Sequence, residues 1–531
     1  MTVRGGYAPA MRWWQQAAIY QIYPRSFSDS NGDGVGDLRG IVDRLDHLAG
    51  SDSSLGVGAV WISPFYRSPM ADFGYDVADY TDVDPIFGTL DDFDLLVREA
   101  HRRDLRVIVD WVPNHTSDQH PWFLESRSSR HNPKRDWYVW RDPAPDGGPP
   151  NNWESAFTAV GQAWTLDHAT GQYYLHSFMP QQPDLDWENP EVEAAMHDVL
   201  RFWLRRGVDG FRIDVVHKLA KDPELRDNGP GLRHDEDWQP TIHDRLRGIR
   251  RVVEEFDDRM LVGEVYLKDL RRVVEYINTG DQLDLAHNFV FLDLPWDAEA
   301  MRASVDDFEQ LAEQAAWPAW FLSNHDHPRV ASRFADGTPG SGERRARVAA
   351  MLICTLRGTP FVYQGEELGL AGADIAPEAV VDVDGRDPER APIPWEPPAD
   401  AGDAAGFTTG TPWLPLPPDA DRLAVSAQLR DPASTLQLVR RILALRAREP
   451  AFQGGAQRCI DCAPQVFAYT REHFLVALNF TADSVALEPR VPLGARAQIE
   501  LSTHPARELG EVDPSELVLG PDEGVIARLS G

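Results

Sequence analysis

Apolar residues fall into two rhythms along this chain. Short apolar runs bounded by Gly, Pro, Asn or Asp read as buried strands. They are AIYQIYP (18–24), GAVWISP (58–64), LRVIVDWV (105–112), GFRIDVV (210–216), LVGEV (261–265), AHNFVF (286–291), AWFLSN (319–324) and TPFVYQG (359–365). Between them lie stretches such as DDFDLLVREAHRR (91–103) and EVEAAMHDVLRFWLRR (191–206), whose apolar positions recur with the spacing of an amphipathic helix. Eight strand–helix alternations predict a (β/α)8 TIM barrel rather than an open sheet.

Such a barrel needs roughly 250 residues, so much of this 531-residue chain must lie in insertions and an added domain. The barrel is assigned to 1–113 and 180–450. Residues 114–179, rich in Trp, Pro, Asn and Gly, read as an inserted irregular subdomain over the barrel mouth, after the third strand. A second irregular stretch, 372–418, is dense in Pro and Asp and follows the eighth. Beyond a last helix at 435–449, alternating runs such as VFAYTR and FLVALNF predict a C-terminal antiparallel β-sandwich over 453–531.

Composition narrows the partners. With 52 basic and 84 acidic residues the formal net charge is −32. A chain this acidic repels nucleic-acid phosphates and anionic membranes but not small neutral substrates. Lysine is confined to Lys134, Lys218, Lys221 and Lys268. Cys354, Cys459 and Cys462 make a poor disulfide framework, and the lone C-x-x-C lacks the second pair or histidine of a zinc site. The opening MTVRGGYAPAMRWW has no signal-peptide core, and no apolar run is long enough to span a bilayer. The expectation is a cytoplasmic protein, monomeric or weakly self-associating, with no organic cofactor.

Candidate chemistry gathers at the ends of the strand-like runs, where the loops of such a barrel build its site. Asp110, Asn114 and His115 end the third run, Arg212 and Asp214 sit on the fourth, Glu264 ends the fifth, and His325 with Asp326 ends the seventh. In an extended strand Arg212 and Asp214 share one face, opposite Phe211, Ile213 and Val215. A guanidinium that close favours the ionised carboxylate, which suits Asp214 to nucleophilic attack. Glu264 has no adjacent cation in sequence, which suits an acid that must hold a proton near neutral pH. Two carboxyls flanking one bond are what glycoside cleavage requires.

In this order DWVPNH, GFRIDVV, VGEV and SNHD resemble the conserved regions of glycoside hydrolase family 13, the α-amylase family. YQIYPRSFSDSNGDGVGDLRGI, FGYDVADY, QPDLDW and YQGEELGL resemble its α-glucosidase and oligo-1,6-glucosidase branch. The resemblance implies a retaining, exo-acting α-glucosidase that releases α-glucose from the non-reducing end of maltose and short α-glucosides, with transglucosylation when a sugar hydroxyl replaces water. It implies Asp214 as covalent nucleophile, Glu264 as general acid/base and Asp326 as a third acid holding sugar hydroxyls. His115, Arg212 and His325 would hydrogen-bond the same sugar, and Tyr75 would stack on it. Asp76 would bind its far end, and Arg390, before APIPW, would reach the terminal glucose, so that the two close the pocket. Phe157 would form an apolar wall. Val215, after the nucleophile, often accompanies α-1,6 activity in this branch, so an oligo-1,6-glucosidase is the alternative. A non-catalytic, family-13-like partner subunit is a remote one, set against the intact acids.

One further motif remains. Asp29-Ser-Asn31-Gly-Asp33-Gly-Val35-Gly-Asp37 places oxygen ligands at alternating positions, like the start of an EF-hand, but Gly40 stands where the bidentate glutamate belongs. It resembles a divalent-cation loop of the same glucosidase branch. That resemblance implies one structural Ca²⁺ or Mg²⁺, held by the side chains of Asp29, Asp33 and Asp37 and largely by the backbone carbonyls of Asn31 and Val35.

Overall fold

The computed structural model describes residues 11–312, 316–494 and 496–530. Its centre is a closed barrel of eight parallel strands. They are β1 (Ile19–Ile22), β2 (Ala59–Ile62), β3 (Arg106–Trp111), β4 (Gly210–Ile213), β5 (Met260–Val265), β6 (Leu285–Asn288), β7 (Ala319–Trp320) and β8 (Thr359–Tyr363). Strands pair in chain order, and β8 closes on β1 with Phe361 opposite Ile19. Both strand faces are buried, which is why the strands read as nearly unbroken apolar runs. Ile19, Trp61, Ile108, Val262, Leu285 and Phe361 fill the barrel interior. Tyr20, Val60, Val107, Phe211, Leu261 and Val362 alternate with them and face the outer core. Gly210 fits because a Cβ there would meet the Met260 carbonyl oxygen at 2.7 Å.

The helices form where caps and apolar stripes coincide. In α1 (Leu90–His101), Thr89 and Asp92 cap each other's backbone N–H groups, and Phe93, Leu96, Val97 and Ala100 form the buried stripe. In α2 (Pro190–Arg205), the Asn189 side chain accepts from Glu191 N, proline takes the first turn, and Val192, Met196, Val199 and Trp203 are buried.

Three strands end sooner than their apolar runs, and each early ending shapes the barrel mouth. GFRIDVV is extended only through Ile213, and Val215 then turns left-handed at φ 34°, ψ 46°, a costly conformation for a β-branched residue. AHNFVF is strand only to Asn288, whose side chain caps the helical turn Phe289–Leu292. AWFLSN pairs only at Ala319–Trp320, which frees Asn324 to Asp326 for the loop.

The insertion is more regular than its composition suggested. It carries the helix Pro121–Ser128 and a three-stranded antiparallel sheet of Trp140–Arg141, Trp164–Asp167 and Gln172–Leu175. Aromatic packing supplies the order, with Trp140 stacked on Phe123 at 5.7 Å. The C-terminal region is a six-stranded antiparallel sheet with a separate two-stranded ribbon, Val485–Ala486 and Val518–Leu519. One sheet face packs with the ribbon through Ala468, Leu475, Ala477 and Leu519, and the other joins the barrel's outer core through Phe467, Tyr469 and Val476. Among the described residues no helix is long and apolar enough to cross a membrane, and all three cysteines are free.

Candidate active site

Arg212 organises the barrel mouth. It projects inward from β4, 1% exposed, and its fork spans three acids. Nη1 donates to Oδ1 of Asp110 at 2.9 Å and to Oδ1 of Asp214 at 2.6 Å, while Nη2 donates to Oε2 of Glu264 at 2.5 Å. The terminal nitrogens of a guanidinium are about 2.3 Å apart, so the bound oxygens of Asp214 and Glu264 lie within about 7.4 Å of each other. The left-handed turn at Val215 aims its N–H at the same Glu264 oxygen, 3.1 Å away. Side-chain exposures of 7% for Asp214 and 12% for Glu264 leave both reachable from the mouth.

This arrangement corrects two expectations drawn from chain neighbours. Arg212 does not belong to Asp214 alone, and Glu264 has a cation in contact although none is adjacent in sequence. Burial pushes the Asp214 carboxyl well above its usual range, with Glu264 and Asp110 adding to the rise and Arg212 opposing it. Asp110 is pushed up to about 6 by burial against the pull of Arg212. Asp110 and Asp214, buried around one guanidinium, hold a proton more tightly than isolated carboxyls would.

A second network lies across the pocket. His325 stacks on Tyr75, with ring centroids 5.3 Å apart and planes 6° off parallel. Its Nε2 lies 2.7 Å from the Tyr75 hydroxyl and 3.1 Å from Oδ2 of Asp326, and its Nδ1 is 2.8 Å from Nε2 of Gln21. Tyr75 also donates to Oδ2 of Asp110, which ties the two networks together. Burial keeps the His325 ring well below its ordinary pKa, despite Asp326 beside it. Burial alone would raise Asp326, but His325, Arg386 and Arg390 together hold it well below the usual carboxylate range. Nη1 of Arg386 and Nη2 of Arg390 each donate to Oδ1 of Asp326 at 2.9 Å.

Asp76 and Arg390 do not face each other as the sequence suggested. Asp76 is fully buried and turned into its own loop, accepting from Ser68 Oγ, Ala71 N and Asp72 N, each at 2.9 Å. Burial pushes its carboxyl up to about 6. Asp72, in the same loop, instead faces the later loop, accepting from Nη2 of Arg386 at 2.7 Å and Nε2 of Gln182 at 2.9 Å. Arg390, foreseen as the partner of Asp76, is 1% exposed and holds the His325 carbonyl, Asp326 and Asp382. Arg386, not Arg390, pairs with Asp72, and Phe157 packs under it with the guanidinium 4.9 Å from the ring centre. His115 lies 3.1 Å from the Tyr75 carbonyl and 3.2 Å from Gln182. Asp72, Gln182 and Arg386 went unmarked in the sequence, though Gln182 opens QPDLDW and the other two stand just before FGYDVADY and Arg390.

The loop 29–37 has the donor chemistry of a hard-cation site, yet its side chains fold back on the loop. Asp29 accepts from the backbone N–H groups of Asn31, Gly32 and Gly34, Asp33 accepts from Val35 N, and Asp37 caps a helix through Gly40 N. Among the described residues no three His, Cys, Asp or Glu side chains converge as a metal ion needs.

Near the end of β5 a cleft of about 830 Å³ opens between Ser155, His217, Lys218, Leu232, Tyr266 and Arg272.

Comparison with known proteins agrees with this geometry. Residues 21–455 match the family described as alpha amylase, catalytic domain. The chain is 46% identical over 498 residues to a probable alpha-glucosidase of Rhizobium meliloti, covering 88% of each. It is 38% identical over 524 residues to an oligo-1,6-glucosidase of Parageobacillus thermoglucosidasius, covering 88% of this chain and 90% of that one. Its fold matches that of the alpha-glucosyl transfer enzyme XgtA with a TM-score of 0.86 at 41% identity, over 98% of this chain and 100% of that one. With likeness of that extent, the chain belongs to glycoside hydrolase family 13, the α-amylase family, in its α-glucosidase and oligo-1,6-glucosidase branch.

Proposed function

We propose that this enzyme is a retaining, exo-acting α-glucosidase that releases α-glucose from maltose and short α-glucosides, and transfers the glucosyl group when a sugar hydroxyl displaces water. The observation that carries this reading is the Arg212 fork, which holds the Asp214 and Glu264 carboxyls side by side within reach of one bond. Asp214 attacks the anomeric carbon while Glu264 gives its proton to the leaving oxygen. A β-glucosyl ester forms, Glu264 takes a proton from water, and attack on the ester frees Asp214 and α-glucose. Asp326, kept ionised by Arg386 and Arg390, accepts hydrogen bonds from the sugar hydroxyls. We read the Asp72–Arg386 pair, tied to Asp326 by the same guanidinium, as the wall that limits removal to single terminal units.

The test is an aryl α-glucoside assay. Asp214→Asn and Glu264→Gln should each lose at least about a thousandfold in kcat. Proton NMR of fresh product should show the α anomer first. Substantial turnover by Asp214→Asn, or β-glucose first, would overturn the mechanism. Val215 and the oligo-1,6-glucosidase relative favour a second reading, hydrolysis of α-1,6 linkages. The ratio of kcat/KM for maltose and isomaltose separates the two.

We further propose a structural Ca²⁺ or Mg²⁺ at Asp29, Asn31, Asp33, Val35 and Asp37, supported by the alternation of hard oxygens there. Operation in the cytoplasm is the compartment that the free cysteines support.

A further inference from the structure

His287 lies on β6 beside Glu264 in the parallel register, with the residue 1% exposed. Among the described residues neither of its ring nitrogens meets a hydrogen-bond partner. The rings of Phe361, Phe321 and Trp61 surround it at 4.7, 4.9 and 5.3 Å. A neutral imidazole has one N–H donor and one lone pair, and a buried polar site with both unmet is one that an internal water fills.

A second orphan lies in the same layer. Nε of Arg212 is buried without a partner, although Nη1 and Nη2 are taken by Asp110, Asp214 and Glu264. The Trp61 ring borders both groups, 5.1 Å from the Arg212 guanidinium carbon and 5.3 Å from the His287 ring. The two flank one strand, since Arg212 pairs with Val262 and His287 with Glu264 along β5.

We propose that His287 is a positioning residue, acting through one buried water that accepts the Arg212 Nε–H and donates to the imidazole lone pair. The water fixes the plane of the guanidinium, and with it the sharing of the fork among Asp110, Asp214 and Glu264. The inference rests on the reading of Asp214 and Glu264 as the reacting pair. The titratable and charged groups facing this layer are Tyr75 before α1, Asp110 on β3, Arg212 on β4 and Asp214 just past its end, Glu264 on β5 and His325 beyond β7. Burial keeps His287 itself neutral, so it orients the charges around it without adding one.

His287→Phe keeps a ring and removes both nitrogens, whereas His287→Gln keeps a donor and an acceptor. His287→Phe should lower kcat about tenfold with KM within about twofold, and move the acid limb of kcat/KM up by about half a pH unit. The direction follows because a loosened guanidinium stabilises the carboxylates less. His287→Gln should restore the wild-type limb. A wild-type crystal structure that resolves waters should show density between Arg212 Nε and the His287 ring, and this decides the matter if His287→Phe does not fold. An unmoved acid limb with only a lower Tm, or an interior without that water, would overturn the proposal. Turnover retained by Asp214→Asn would instead overturn the catalytic reading on which it rests.

Discussion

Oδ1 of Asp72 lies 2.7 Å from Nη2 of Arg386, in an ion pair between loops 314 residues apart in the chain. The same guanidinium reaches Asp326 and Asp382, so one side chain ties the loop before α1 to the loop after β8. Removing one partner of a buried ion pair strands the other, which costs more than the pair itself contributes.

Asp72→Asn should therefore act on catalysis, and Asp76→Asn on stability. Asp72→Asn is expected to lower kcat/KM for an aryl α-glucoside about a hundredfold, equivalent to about 3 kcal/mol. Asp76→Asn sets an amide N–H₂ against backbone N–H donors, which should cost about 1–3 kcal/mol of stability and leave kcat/KM within about threefold. Parallel kinetics and thermal unfolding check both. A large loss of turnover in Asp76→Asn at unchanged Tm would return Asp76 to the sugar.

Glu366 makes a pH prediction. Burial pushes its carboxyl up to about 7, against hydrogen bonds from the Ser323 hydroxyl and the Tyr363 N–H. A folded value above the unfolded one means that the native chain binds this proton more tightly. The favourable contribution, about 3 kcal/mol, is whole below about pH 4 and is lost as pH rises through about 7. Glu366→Gln cannot ionise, so its Tm relative to wild type should rise between pH 5 and pH 8. A pH-independent difference would show that Glu366 is already ionised in the acidic part of that range.

The cation loop predicts a metal-dependent Tm. After chelation, millimolar Ca²⁺ or Mg²⁺ should raise Tm, with about 2.7 kcal/mol of stabilisation at a hundred times Kd, and Asp33→Asn should abolish the response. An identical Tm with and without metal, together with no metal by elemental analysis, would remove the cation from this enzyme.

Much of the architecture was legible because its signals are local. Apolar runs buried on both faces marked the barrel strands, and the acids fell at their ends. The strand ends were not legible. Val215 is β-branched and reads as strand, yet the contact of its N–H with Glu264 holds it left-handed. Asp72 and Asp76 look alike in ADFGYD, as do Arg386 and Arg390 in DGRDPER, and only their distant partners tell them apart.

The order of residues by itself settled which chemical groups stand at which strand ends, since periodicity and motif spacing are properties of neighbours in the chain. Tertiary structure alone decided how charge is shared. Arg212 meets Asp110 and Glu264 from other strands as well as Asp214, and burial outweighs its pull on the Asp214 carboxyl. Electrostatic energy depends on distance and on the water excluded between groups, and a linear sequence specifies neither.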